Sequence, residues 1–156
     1  MRNIILIGYQ GVGKTFYGKR LSRHFSMNFI DTDALLEEKF KTSIKNLYKT
    51  LGEKDFRNRE KESILQLKEV KNSVIATGGG VVEIEDITFF LQGLGLVVYI
   101  HCELHLLKSR WKQEGLFYNG VDIEEKFNQR ARLYETCCHK KVEGKWDQIL
   151  SVGNLR

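Results

Sequence analysis

Proline is absent from all 156 residues, and no Gly/Ser-rich linker, low-complexity run or internal repeat interrupts them. No domain boundary is therefore marked, and residues 1–156 are expected to form a single domain. Cysteine is scarce. Cys102, Cys137 and Cys138 make neither a Cys-x-x-Cys pair nor a spaced ligand set, and an odd number argues against a secreted disulfide framework. The vicinal Cys137 and Cys138 read as reduced residues near the end of a helix, with a redox role as the alternative. Long apolar runs are missing too. Ile4-Ile5-Leu6-Ile7 stops after four residues at Gly8, too short for a signal h-region, and nothing approaches the ~18 apolar residues of a membrane span. A cytoplasmic chain without membrane contact is expected.

Basic residues outnumber acidic ones, 25 to 20, for a formal net charge of +5 and a pI near 9.1. They are scattered. The densest basic stretch, His139-Lys140-Lys141, is short and lacks interleaved aromatics, whereas a nucleic-acid surface presents a continuous basic face. Small anions, rather than nucleic acid, are the expected partners. Hydrophobic residues make up 42% and charged residues 29%, which suits a folded chain that buries roughly 70% of its unfolded surface.

Strands and helices alternate along the sequence. Ile4 to Ile7 has the continuous aliphatic pattern of a strand buried on both faces of a parallel sheet. Lys14 to His24 reads as a helix, Asn28-Phe29-Ile30 as a strand stopping at Asp31, and Ala34 to Phe40 as a helix. Ser43 is placed to cap a helix through Leu47 and Leu51, and Lys54 to Glu69 forms another. Ser73 to Thr77 and Leu96 to Ile100 read as buried strands, Glu103 to Trp111 as a helix, Gln113 to Gly120 as a polar connection, and Ile123 to Tyr134 as a helix. Gln148 to Val152 reads as a final strand. Such alternation requires right-handed crossovers, giving an α/β fold whose parallel sheet is covered on both faces. Ligands in these sheets gather at the carboxyl ends of the strands.

At the first of those ends stands Gly8-Tyr9-Gln10-Gly11-Val12-Gly13-Lys14-Thr15. The spacing Gly-x-x-x-x-Gly-Lys-Thr between a strand and a helix is that of a phosphate-binding P-loop. Its backbone N–H groups form an anion nest backed by the helix N-terminus. Lys14 is placed to reach the β- and γ-phosphates, and Thr15 to ligate Mg²⁺ through its hydroxyl. No Asn-Lys-x-Asp guanine-reading tetrapeptide occurs, so ATP is favoured over GTP.

Asp31-Thr32-Asp33 ends the second strand, where one carboxylate can serve the metal's water shell and the other an acceptor hydroxyl; the structural alternative is an N-cap. Arg57 is placed to offer a planar fork to a carboxylate. Gly78-Gly79-Gly80 after a buried strand implies close approach to the backbone.

Together with Gly52-Glu53, Phe56-Arg57-x-x-Glu60 and Arg130-x-x-Leu133-Tyr134, these segments resemble the shikimate kinases from Ile4 to about Tyr134. The resemblance implies a three-layer α/β sandwich of the P-loop nucleoside-monophosphate-kinase type, with a five-stranded parallel sheet of order 2-3-1-4-5. It implies transfer of the γ-phosphoryl of ATP to the 3-hydroxyl of shikimate, on the route to chorismate and the aromatic amino acids, by a Mg²⁺-dependent monomer. Gly11, Val12, Gly13, Lys14, Thr15, Phe16 and Arg110 would then hold the nucleotide, with Arg110 against adenine. Asp33, Phe56, Arg57, Glu60, Gly78, Gly79, Gly80 and Arg130 would hold shikimate. Asp33 would act as base or orienting acceptor, Arg57 and Arg130 would clamp the carboxylate, and Asp31 would support Mg²⁺ through water. Substrate-binding helices would span about 32–60 and a lid about 111–122.

The lid departs from the family's pattern, since Trp111 to Gly120 is short and carries no arginine or proline. Lys112 is the candidate replacement charge, and Leu116 and Phe117 the candidate cover. The few residues after Val152 leave little room for the family's last helix, so weaker nucleotide binding or a more open adenine pocket is expected. Two other readings stay open: a related small-molecule kinase such as a gluconate kinase, and a lid-degenerate nucleotide-binding module. Arg130 also has a bland reading as a helix surface charge beside Arg132.

Overall fold

A computed structural model describes residues 2–113 and 123–155. Its strands are β1 (Asn3–Ile7), β2 (Asn28–Asp31), β3 (Ser73–Ala76), β4 (Gly95–His101) and β5 (Lys140–Glu143). They lie in the order β2-β3-β1-β4-β5, with every pairing parallel. Ile4 sits opposite Val74 on one side and Leu96 on the other. Every residue of β1 and β3 is buried, which requires cover on both faces and explains why these strands read as unbroken apolar runs.

The cover is supplied by α1 (Lys14–Phe25), α2 (Thr32–Phe40), α3 (Ile44–Leu65), α4 (Ile87–Leu94), α5 (Leu104–Gln113), α6 (Ile123–Cys137) and α7 (Trp146–Leu150). One hydrophobic core runs along the sheet. Fully burying each of Ile4, Ile5, Leu6 and Ile7 stabilises the chain by about 1.5–3 kcal/mol. A separate small cluster of Leu36, Leu47 and Phe56 joins α2 to α3, so the helices beside the cleft have an apolar seam of their own.

The helix expected from Ser43 and the one expected from Lys54 form a single run, Ile44–Leu65, broken by non-helical backbone at Gly52 (φ 78°, ψ 169°). Nothing lies within 4 Å of a Cβ built there, so the positive φ, not crowding, calls for glycine. Ser43 does cap the run, its hydroxyl accepting from the Asn46 N–H. The helix ends at Leu65 and residues 66–69 continue as a 3₁₀ turn. The sequence reading assigned no element to 81–95, where a 3₁₀ turn (Val81–Glu83) and α4 lie.

The last predicted strand is corrected. Gln148–Val152 is not a strand; residues 146–150 are helical and a 3₁₀ turn follows. Ile149 and Val152, three residues apart, are both fully buried, which is the spacing of one helical face. The fifth strand is Lys140–Glu143, at the sheet edge, where Val142 is the single buried side chain. Edge strands need no continuous apolar run, and this one was hidden in the basic stretch. The predicted order 2-3-1-4-5 holds with that substitution.

Candidate active site

Because β1 is the middle strand, its carboxyl end delivers the glycine-rich loop to the centre of the sheet's upper edge. Gly8, Gly11 and Gly13 all have positive φ, and a Cβ on Gly8 would stand 2.5 Å from the Ile100 carbonyl oxygen. The loop thus needs glycine both for conformation and for space. Lys14 is buried, and its Nζ donates to the Gly8 and Tyr9 carbonyls at 2.6 and 3.0 Å. Burial pulls its ammonium down to about 8, against the opposing charges of Asp33 and Asp31.

Two residues at the end of α5 dock on the loop. Trp111 Nε1 donates to the Gln10 carbonyl at 2.8 Å, and Arg110 Nη1 donates to the Gly11 carbonyl, also at 2.8 Å. Tyr9 packs its ring against Trp111 and Phe127. Phe16, on the first turn of α1, is largely exposed. Of the predicted lid, about 111–122, residues 111–113 end α5 and 114–122, including Leu116 and Phe117, lie outside the described residues; Lys112 is exposed on the last turn of α5.

Asp31 and Asp33 divide the tasks that the sequence left shared. Asp31 is the N-cap of α2, its Oδ1 accepting from the N–H groups of Asp33 and Ala34, while its Oδ2 accepts from the Thr15 hydroxyl at 2.7 Å. Asp33 lies within the first turn and does no capping. Burial, then repulsion from Glu60 and Asp31, pushes its carboxyl up to about 6. The Gly78 N–H donates to Thr32 Oγ1, which ties the triple-glycine turn to the start of α2.

A Cβ on Gly78 would meet Glu60 Oε1 at 2.5 Å and Asp33 Oδ1 at 2.8 Å, and one on Gly80 would overlap the Arg57 guanidinium. Glycine at both positions therefore lets two carboxylates and an arginine converge on one turn. Tyr134, fully buried, donates its hydroxyl to the Gly79 carbonyl. Arg57 on α3 pairs with Glu60 one turn along, and Phe56 packs below it in the α2–α3 seam. Glu60 Oε1 and Arg57 Nε are buried without a hydrogen-bond partner, and burial raises the Glu60 carboxyl although Arg57 opposes it.

Arg130 is buried, with 6% of its surface exposed, so the reading of it as a surface charge is overturned. Its guanidinium lies over the Tyr9 ring, and its Nε and Nη2 grip both oxygens of Glu83 at 3.0 and 2.9 Å. Glu83 also accepts from Arg57 Nη2 at 3.3 Å. Partial burial alone would lift the Glu83 carboxyl, but Arg130, Lys126 and Arg57 hold it below its ordinary value. The same bond keeps the Arg130 guanidinium above its ordinary value in spite of burial.

Sequence reasoning thus brought Lys14, Thr15, Asp31, Asp33, Arg57, Glu60, the glycines and Arg130 to one cleft. It missed Glu83, Tyr9, Trp111 and the Tyr134 hydroxyl as site residues. The acid three residues after Gly80 was the available signal for Glu83.

A parallel sheet in this order, with a phosphate loop after its middle strand, defines a P-loop α/β phosphotransferase. A family model described as shikimate kinase matches residues 10–149. A shikimate kinase from Bacillus cereus (strain AH187) is 36% identical over 140 residues, covering 86% of this chain and 84% of that relative. The solved shikimate kinase from Acinetobacter baumannii in complex with shikimate superposes with a TM-score of 0.89 at 28% identity, over 99% of this chain and 92% of that one. A gluconokinase from Sinorhizobium meliloti 1021 shares only the fold, with a TM-score of 0.59 at 14% identity over 99% of this chain and 93% of that one. The chain belongs to the shikimate kinase family.

Proposed function

We propose that this chain transfers the γ-phosphoryl of ATP to the 3-hydroxyl of shikimate, giving shikimate 3-phosphate and ADP, and that it does so as a single domain whose partners are these small molecules. The observation that carries the reading is the convergence of Asp33, Glu60, Arg57 and Arg130 around one glycine turn beside Lys14. A ring acid with vicinal hydroxyls needs cationic forks for its carboxylate, an acid for its hydroxyls and a phosphate cradle facing them.

In this reading the N–H groups of Gly11 to Phe16 cradle the phosphates and Lys14 leaves the Gly8 and Tyr9 carbonyls to meet them. Asp33 accepts the proton of the attacking hydroxyl as the oxygen–phosphorus bond forms and the bond to ADP breaks. Its capping role falls to Asp31, so ionised Asp33 is available to the hydroxyl. Arg57 and Arg130 orient the carboxylate, the Gly79 and Gly80 backbone lies along the ring, and Arg110 lies against adenine. Thr15 Oγ1 and the Asp31 carboxylate, 2.7 Å apart at the loop mouth, are the hard oxygen donors that suit Mg²⁺, with Asp31 acting through water. When bound, held by Thr15 directly and by Asp31 through water, the metal would neutralise the negative charge of the reacting phosphates.

A coupled ADP-release assay across shikimate, gluconate and other hydroxy acids tests the reading, with Lys14→Ala protein as the blank. ADP formation dependent on shikimate and absent from the blank is expected. Equal rates with and without shikimate would sink it.

A further inference from the structure

We propose that Glu83 is an internal competitor for the carboxylate clamp, occupying Arg57 and Arg130 until an acceptor acid displaces it, and thereby sets the affinity an acid must have to fill the site. The proposal rests on the acceptor reading above.

Glu83 takes from the two arginines the kind of bonds a substrate carboxylate would take. It holds the Nε/Nη2 edge of Arg130, the side-on edge that matches a carboxylate with two parallel bonds, and it reaches Arg57 Nη2 as well. One acid thus spans both forks.

Each arginine has a further contact besides Glu83. Arg57 is fixed by Glu60, whose side chain is 1% exposed on the same helix, and its guanidinium lies against Gly80. Arg130 rests on the Tyr9 ring. Glu83 is the most exposed of the three, with 22% of its side-chain surface open against 16% and 7% for Arg57 and Arg130. It ends a three-residue 3₁₀ turn rather than sitting inside a long helix. The acid, and not the arginines, is therefore the member with a short path to water.

Charge points the same way. Two guanidinium groups touch two acidic side chains, Glu60 and Glu83, while Lys126, the other cation acting on Glu83, is itself paired with Glu53 at 3.8 Å. A substrate carboxylate entering beside both would add a third acid to two cations, an arrangement that desolvation penalises. Leaving, Glu83 restores the balance.

A threshold follows from the exchange. A plain carboxylate that displaces Glu83 replaces one carboxylate by another and gains little. An acid that also engages Asp33 and Glu60 through ring hydroxyls gains contacts Glu83 does not make. The competitor thus weakens every acid by the same factor, a threshold that an acid with ring hydroxyls clears and one without them does not.

The test uses Glu83→Gln, which keeps shape and removes charge, and Glu83→Ala. Titration calorimetry is run with shikimate and with cyclohexenecarboxylate, the ring acid stripped of hydroxyls. Both variants are expected to bind shikimate about tenfold more tightly, equivalent to about 1.4 kcal/mol, and to gain at least as much for the hydroxyl-free acid. Weaker binding of both acids in both variants would make Glu83 a strut for the arginines and overturn the proposal. A structure of the wild-type chain with shikimate needs no variant: Glu83 is expected to have left Arg57 or Arg130, and both pairs intact beside bound shikimate would also overturn it. If wild-type protein shows no shikimate-dependent ADP release, the acceptor reading falls separately. The hydroxyl-free acid still decides the role of Glu83, because it asks only whether removing that acid opens two arginines to a carboxylate.

Discussion

Replacing Asp33 with Asn should stabilise the fold while abolishing turnover. The Asp33 carboxyl, ordinarily near 3.8, is pushed up to about 6 by burial, then by Glu60 and Asp31. A raised folded value means that the native state binds the proton more tightly than the unfolded chain, so ionising Asp33 costs native stability as pH rises. At about 1.36 kcal/mol per unit, the cost approaches roughly 3 kcal/mol once pH stands well above 6. Asn carries no charge and is close to isosteric, and its amide fits the Asp site less well than the acid. We therefore expect a gain of about 2–3 kcal/mol at pH 7.5, or about 4–12 °C in Tm for a chain of this size. The gain should shrink to about half at pH 5, where native Asp33 is largely protonated, and nearly vanish by pH 4. Loss of the base should lower kcat by about 10²–10⁴. Guanidinium unfolding of both proteins at the three pH values, with the ADP assay at pH 7.5, reads all of this. A destabilised variant, or a gain that does not change with pH, would refute the electrostatic reasoning, and unchanged turnover would refute the role of Asp33.

The pH profile of kcat/KM should be bell-shaped, falling as pH drops through about 6 where Asp33 takes up a proton, and falling again above about 8 where buried Lys14 loses one; a flat profile across both limbs contradicts it. Gly80→Ala places a methyl on the Arg57 guanidinium and pushes it off buried Glu60, so the shikimate KM should rise about tenfold or more and the melting temperature should fall, with the ATP KM nearly unchanged. Tyr134→Phe removes the donor to the Gly79 carbonyl and should cost about 1–3 kcal/mol in guanidinium unfolding, with a higher shikimate KM because the glycine turn loses its tether. The Glu83 substitutions described above, read by acid binding, complete the set.

The elements legible in the sequence were those whose signal is local. Ile4 to Ile7 and Leu96 to Ile100 are central strands buried on both faces, so hydrophobicity alone marked them. The phosphate loop was legible because its chemistry is backbone chemistry: glycine spacing sets the nest, and Lys14 and Thr15 follow from the helix that begins there. The three glycines announced a close approach without naming what approached. Gln148 to Val152 misled because a short apolar run has the same composition as strand or helix, and the edge strand Lys140–Glu143 was hidden by its charge.

The sequence by itself determined the phosphate cradle, the first four strands and the acids and arginines that gather beside it. Tertiary structure decided how those groups are shared. It gave the N-cap to Asp31 and left Asp33 out of it, because only the helix axis distinguishes two acids two residues apart. It buried Arg130, which by sequence looked no different from Arg132, since α6 turns one of them to the cleft. It also brought Glu83 between two arginines 26 and 47 residues away. Pairings at that separation are made by the packing of helices on the sheet, and no local pattern records them.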